Sequence, residues 1–344
     1  MPDFCSFSLS IDYETSICLS SKTEIAKRLA TDSNPLIIDK QVFDLHSDLL
    51  NQSPPLHLLL LTAGEDSKSL EQVNHIYEFL LNCKADRSTI ITVIGGGTIT
   101  DASAYAVSTF KRGCRLTLIP STLLGMIDAS LGGKTAVNYN SAKNTIGTFY
   151  PAEQVIIVPE LLTTLSEKEL SNGMAEMLKL QFILPELPEP ITSGSIYPQP
   201  EVIFEYAKAK LSICTQDLDD KGKRRLLNLG HTFGHALESY TDFTISHGKA
   251  IAWGIATAAR VSYKLGYIDT DVCSKVVSKL KQYGFMTELD DSLKSGFIAA
   301  FPTLVAHDKK NEAGFLTLIL FSGTGQVDMF KHIDIQTITL TNPF

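Results

Sequence analysis

The sequence predicts an α/β protein in two parts: a doubly wound parallel-sheet domain over residues 1–158, then a mainly α-helical domain over residues 159–344. Three observations predict it. Short, continuous apolar runs rich in branched residues alternate with helix-period segments through the first half, which is the pattern of strands covered on both faces. A glycine run at positions 95, 96 and 97 closes one of those strands. After Val158-Pro159 the strand pattern gives way to segments of helical period. At 344 residues the chain is long for a single core and natural for two.

In order along the chain, residues 35–39 and 56–61 are short buried strands. Residues 69–83 have helical period, with Leu70, Val73, Ile76, Tyr77 and Leu80 along one side. Residues 89–94, 116–119 and 155–158 are further strands. In the second part Ser166 reads as a helix N-cap, with Glu169 completing a capping box. Prolines at 185, 188, 190, 198 and 200 prevent one continuous helix over residues 184–200. That stretch reads as an excursion of the helical domain, not a linker. Helical period resumes over 201–214 and again over 250–260, and residues 315–321 read as a strand.

A net charge of -8 argues against nucleic acid as a partner, which needs a basic face. It leaves room for a local basic pocket. Six cysteines without a CxxC pair read as reduced thiols. Met-Pro-Asp-Phe-Cys at the start has neither the basic nor the apolar region of a signal peptide. No apolar run reaches the ~18 residues that would span a bilayer. The expectation is a cytoplasmic protein with no membrane partner.

Three stretches carry chemistry. His231 and His235 are four apart, one turn apart on one helix face, and His247 follows a short polar stretch. Neutral imidazole is the commonest protein metal ligand, so the three can converge on one divalent ion. An isolated HxxxH also serves as a plain surface or core pair. Gly95-Gly-Gly-Thr-Ile-Thr-Asp101 lies where a strand opens into a helix, where glycines let a phosphate approach backbone amides. It is not the strict GxGxxG pattern, and a tight turn would use glycine too. The stretch from Pro120 to Asn138 places Asp128 and Lys134 around Gly132-Gly133. It fails the GxxxxGK[ST] spacing, since position 128 is aspartate, so nucleotide hydrolysis is disfavoured.

Asn228-Leu-Gly-His-Thr-Phe-Gly-His-Ala-Leu-Glu238, with Arg224 upstream and His247-Gly248 downstream, resembles the 3-dehydroquinate synthase family. So do the stretch from Pro120 to Asn138 and its continuation Lys143-Asn144-Thr-Ile-Gly147. The resemblance runs from Asp39 to Lys310. It implies a Rossmann-like NAD domain followed by a helical metal- and substrate-binding domain, the dehydroquinate synthase-like architecture. It implies conversion of 3-deoxy-D-arabino-heptulosonate 7-phosphate to 3-dehydroquinate and phosphate, with NAD and a divalent ion, zinc or cobalt, in a homodimer.

Residue by residue, the resemblance implies that Asp39, Glu65, Lys68, Gly95, Gly96, Gly97, Asp101, Ser121, Thr122, Asp128 and Lys143 serve the cofactor. It makes Glu176, His231 and His247 the metal set, against the His231/His235 pair that spacing alone suggests. His235 then stands near the substrate phosphate. Lys134, Asn144, Lys179, Lys210, Arg224 and Asn228 line the substrate, and Arg112 reaches the phosphate held by the neighbouring subunit. Asp217 matches a family position, and Asp308-Lys309-Lys310 matches a substrate motif.

Two departures stand out. Leu180-Gln181-Phe182 replaces the aromatic or His–Gly pair that follows the family's lysine. Lys249 replaces a glutamate. Lysine accepts no hydrogen bond, so His247 is expected to be oriented by another acceptor, such as a backbone carbonyl, with Lys249 turned away. The other readings of the same architecture are a different sugar phosphate cyclase, a metal-dependent polyol dehydrogenase, or a non-catalytic binding homologue.

Overall fold

The computed structural model describes residues 14–50, 55–140, 142–192, 194–306, 315–341 and 343–344. The expected substrate motif at 308–310 lies outside them. The chain divides into two compact units, and the change falls between Ile157 and Val158. Two earlier segments, Gly95–Gly97 and Pro120–Gly132, group with the second unit.

The first unit contains β1 (Ser16–Leu19), α1 (Lys22–Thr31), β2 (Leu36–Asp39), α2 (Lys40–Leu45), β3 (Leu58–Leu61), α3 (Leu70–Asn82), β4 (Ile90–Gly95), α4 (Gly97–Thr109), β5 (Arg115–Pro120), β6 (Lys134–Tyr139), β7 (Ala142–Phe149) and β8 (Gln154–Ile157). Six strands form one sheet in the order β1-β8-β5-β4-β2-β3. β1 with β8, β8 with β5, β4 with β2 and β2 with β3 run parallel. Ile37, Ile38, Ile91, Val93 and Val155 are fully buried, as strands covered on both faces require. Chain order reverses between the neighbours β2 and β4, the topological switch at which such sheets bind ligands.

Helix α3 buries Val73, Ile76 and Leu80, while Leu70 stays 41% exposed, so its apolar stripe is narrower than the sequence suggests. Strand β1 and the antiparallel β6–β7 hairpin carry no clear sequence signal; β7 is exposed at most of its positions, so no apolar alternation announces it.

The second unit contains α5 (Glu167–Ile183), α6 (Pro200–Gln216), α7 (His231–Tyr240), α8 (His247–Lys264), α9 (Thr270–Gln282), α10 (Asp291–Ala306), the antiparallel hairpin β9 (Phe315–Ser322) and β10 (Gln326–Asp334), and α11 (Ile335–Thr341). Helix α8 is the centre of this unit. Every residue from Ala250 to Ala259 is buried, Trp253 among them, so it has no solvent face. Its small residues let its neighbours come close. A Cβ on Gly254 would lie 2.1 Å from the Gly230 carbonyl oxygen, and one on Gly234 would lie 3.0 Å from that of Ala250.

Ser166 does cap α5, accepting from the Glu169 amide. The Glu169 carboxylate instead accepts from the Asn172 side chain at 3.4 Å, so the reciprocal capping box does not form. The proline excursion is tied down on three sides. Gln181 of α5 donates to the Leu187 and Pro188 carbonyls, Tyr206 of α6 donates to Pro188, and Lys279 and Tyr283 hold Glu189. Gln181, one of the two departures from the family pattern, is thus the excursion's anchor on α5. Among the described residues no helix is long and apolar enough to cross a membrane.

The contact of α7 with α8 leaves no room for a methyl group. Gly254→Ala should destabilise the protein by about 1–3 kcal/mol through overpacking. Thermal unfolding should show a transition lowered by several degrees. An unchanged transition would mean that the two helices can separate freely at this point.

Candidate active site

Glu176 on α5, His231 at the start of α7 and His247 at the start of α8 bring three ligand atoms within 4.8 Å of one another. His231 Nε2 lies 3.7 Å from Glu176 Oε1, and His247 Nε2 lies 3.4 Å from it. Glycine makes this convergence possible, because Gly173, Gly234 and Gly248 sit within three residues of Glu176, His231 and His247. A Cβ on each would fall 2.6 to 2.8 Å from a neighbouring atom.

The imidazoles are oriented from behind. His231 Nδ1 faces the Leu229 carbonyl at 3.2 Å, and His247 Nδ1 faces the Glu238 carboxylate at 3.3 Å. If each Nδ1 carries the hydrogen, both Nε2 lone pairs point at Glu176. The acceptor expected behind His247 is therefore a carboxylate and not a backbone carbonyl; the backbone carbonyl serves His231 instead. Lys249 is exposed on the first turn of α8.

The charges explain what the cluster favours. Glu176 is 2% exposed. Burial pushes its pKa up, but Lys179, His231 and His247 outweigh burial and hold it well below the usual carboxylate range. Lys179, one turn on, lies against Glu176 Oε2 as an ion pair, yet neither carboxylate oxygen accepts a well-formed hydrogen bond. The ion pair balances the charge, and the oxygen lone pairs stay available to a cation. Burial, and then the Lys179 charge, holds His231 well below its ordinary value, so that ring is neutral. Burial also lowers His247, but the Glu176 and Glu238 carboxylates, one beside each ring nitrogen, overcome it and push the group up to about 10. Two carboxylates thus draw positive charge to this point, either as a proton on His247 or as a cation shared by the three ligands. One carboxylate and two histidines, all buried or half-buried, suit a catalytic zinc or cobalt ion.

His235, exposed on α7, stacks edge-on to His231 with ring centroids 5.1 Å apart. His235, Glu238 and His247 form a second group within ligand distance. It shares His247 and uses the carboxylate that already faces His247 Nδ1, so it is an alternative to the first set and not an addition. A pocket of about 240 Å³ opens beside the cluster, lined by Arg225, Asn228, His231, Thr232 and His235 with Thr317, Ile319 and Met329.

Elsewhere in the second unit, Asp128 sits in a π-helical turn, Gly125–Ala129, a form common at functional sites. Its partner is Lys210 of α6. Burial lowers the Lys210 pKa, but Asp128, Cys214 and Glu176 outweigh it and raise the group. Arg224 is buried and donates to the carbonyls of Leu218 and Gly132. Asp217 accepts from the amides of Lys221, Gly222 and Arg224, fixing the turn that presents Arg224. Asn228 donates to the Arg225 carbonyl. Ser121 donates its amide to the Gly95 carbonyl, and Thr122 Oγ1 accepts from the Gly125 amide. The Thr122 methyl would be 3.0 Å from a Cβ on Gly96.

In the first unit, Lys68 is buried and bridges Asp101 at 2.8 Å and Asn144 at 2.6 Å. Glu65 accepts from Asn138, whose side-chain oxygen in turn accepts the Asn144 amide. Asn144 has a φ of 51°, a left-handed backbone that asparagine tolerates. Four separately read positions of this unit, Glu65, Lys68, Asp101 and Asn144, thus join with Asn138 in one polar network. Asp39 ends β2 and caps α2 through the Gln41 amide; burial raises its pKa, opposed by that bond. Lys134, Lys143 and Arg112 are exposed. Sequence reasoning did not single out Glu238, Asn138 or Arg225. Glu238 had a signal available, since it lies two turns after His231 on the same face of α7.

The family description "3-dehydroquinate synthase N-terminal" matches residues 58–172, and "3-dehydroquinate synthase C-terminal" matches residues 173–311. A 3-dehydroquinate synthase of Dehalococcoides mccartyi (strain CBDB1) is 38% identical over 80% of this chain and 78% of its own length. One of Acaryochloris marina is 34% identical over 92% of this chain and 87% of its own. Among solved structures, the 2-epi-5-epi-valiolone synthase ValA of Streptomyces hygroscopicus subsp. jinggangensis, with NAD+ and Zn2+ bound, superposes with a TM-score of 0.80 at 23% identity, covering 98% of both chains. That likeness speaks for the fold.

Asp128→Asn would leave the Lys210 ammonium buried without its carboxylate. Because Asp128 is partly exposed, the cost should be about 3 kcal/mol or less. The raised Lys210 pKa stabilises the fold fully below the unfolded lysine value and stops doing so as pH rises through the folded value. In the variant burial would dominate and lower that pKa, so alkaline unfolding should begin at a lower pH than in wild type. Coincident pH-unfolding curves would contradict the pairing.

Proposed function

The chain belongs to the 3-dehydroquinate synthase family, and on that premise we propose how its residues divide the work. The activity is conversion of 3-deoxy-D-arabino-heptulosonate 7-phosphate to 3-dehydroquinate and phosphate, a carbon–oxygen lyase step of the shikimate route to aromatic amino acids. The observation that supports a metal-dependent site most is the buried Glu176 carboxylate with two histidine nitrogens aimed at it.

In this reading residues 1–158 bind NAD and residues 159–344 bind metal and substrate. When bound, NAD supplies and recovers a hydride, and a zinc or cobalt ion supplies Lewis acidity. Glu176, His231 and His247 hold the ion, with Leu229 and Glu238 fixing the rings. Asp39, Glu65, Lys68, the glycines at 95–97, Asp101, Ser121, Thr122, Asp128 and Lys143 serve the dinucleotide; Asp39 ends β2 at the sheet's switch point.

The substrate carries a phosphate at one end and a carboxylate at the other, so it needs cations for both. Lys134, Asn144 and His235 serve the phosphate, with Arg112 contributed from the second copy of a homodimer, and Asn228 lines the substrate. A guanidinium suits that task because it meets phosphate oxygens two at a time. Lys143, Lys210 and Arg224 serve the carboxylate, and Lys179 contacts the sugar from the metal helix. His235, exposed beside His231, serves as a hydrogen-bond or proton donor on the phosphate side. The protein acts in the cytoplasm.

His247→Ala should abolish turnover while leaving the fold intact by circular dichroism, and Glu176→Ala/His247→Ala should hold no stoichiometric ion by elemental analysis. Full metal occupancy in the double variant would sink the ligand set. In this reading NAD is restored within each turnover and is not consumed. Phosphate should therefore appear one-for-one with cyclic product while bulk NADH stays flat. Steady NADH accumulation without phosphate release would mark a polyol dehydrogenase.

A further inference from the structure

The N-terminus of α8 carries His247 as its first residue, and its cap is unusual. Ser246 occupies the N-cap position, yet its side chain makes no capping bond, and its Oγ is buried without a partner. The Gly248 amide, one of the donors a helix start leaves unsatisfied, is instead taken by Asn172 Oδ1 at 2.8 Å. Asn172 belongs to α5, 76 residues earlier, and is itself buried.

This bond joins two backbones already in contact. A Cβ on Gly248 would lie 2.7 Å from Asn172 Cα and 2.7 Å from the Ser171 carbonyl oxygen. On α5, Asn172 is one turn before Glu176, and the two share a face. The Asn172 side chain is held in turn by Glu169 at 3.4 Å. One hydrogen bond thus ties the turn that carries Glu176 to the residue next to His247.

We propose that Asn172 is a positioning residue for the metal centre: it caps α8 from α5 and sets the span between Glu176 and His247. The inference rests on the assignment of those two residues as ligands. A Ser246 cap would satisfy the same amide locally but would leave α8 free to shift along α5. The cap from Asn172 stabilises the helix start and fixes its register in one contact. Removing the acceptor leaves a buried amide unsatisfied and lets His247 drift from Glu176.

The test compares Asn172→Ala, Asn172→Asp and Glu176→Ala, reading Co2+ affinity by chelator competition and the visible absorption of bound Co2+. Asn172→Ala should bind Co2+ roughly 10- to 100-fold more weakly, the usual effect of losing a support behind a ligand, with a changed absorption band. Asn172→Asp, combined with Glu169→Gln so that no second carboxylate faces it, keeps an acceptor and should restore both. Wild-type affinity and spectrum in Asn172→Ala, while Glu176→Ala has lost the ion, would overturn the inference. So would a failure of aspartate to rescue. Full affinity in Glu176→Ala would overturn the ligand assignment instead. If Asn172→Ala does not fold, Asn172→Ser, whose hydroxyl falls short of the amide, gives the same comparison.

Discussion

A buried carboxylate that three cationic or ionisable neighbours hold in its charged form is the constraint on which the second unit depends. Glu176 is nearly inaccessible to water, and desolvating a lone charge there would cost several kcal/mol. Lys179 balances part of that charge from the same helix, and His231 and His247 approach from two others. Removing any one of these neighbours leaves the others in an unfavourable field. The group therefore behaves as a unit, and single substitutions within it will not add independently.

Glycines set the distances. α5, α7 and α8 approach more closely than side chains allow, at Gly230, Gly234, Gly248 and Gly254. Gly230 also takes the left-handed backbone that starts α7, with a φ of 78°. Each proposed ligand lies within about a turn of one of these points, so close backbone approach helps to fix its position. The ten consecutive buried residues of α8 are the same constraint seen from inside.

Much of this was legible in the sequence for physical reasons. Parallel strands buried on both faces write themselves as continuous apolar runs, so β2, β4, β5 and β8 are plain in outline. The histidine spacing placed His231 and His235 on one face, and motif resemblance selected Glu176 over His235. What escaped depends on contacts between distant residues. The β6–β7 hairpin lacks alternation because it is mostly exposed. Asp128 reads as the natural partner of nearby Lys134, but it pairs with Lys210, 82 residues on. The acceptor behind His247 was sought in the backbone, although Glu238 was visible on the same face of α7 as His231. Asn172 looked like one more polar residue on a helix, because its role exists only where α8 comes to rest.

The three proposed ligands are spread over positions 176, 231 and 247 and belong to three different helices. No local fragment of the chain can assemble them, so an ion held there binds the folded second unit and almost nothing else. By mass action such an ion would add about 2.7 kcal/mol of stability when present at one hundred times its dissociation constant. Metal supply and thermal tolerance then become one variable: a cell short of the ion holds a protein that is both inactive and closer to unfolding.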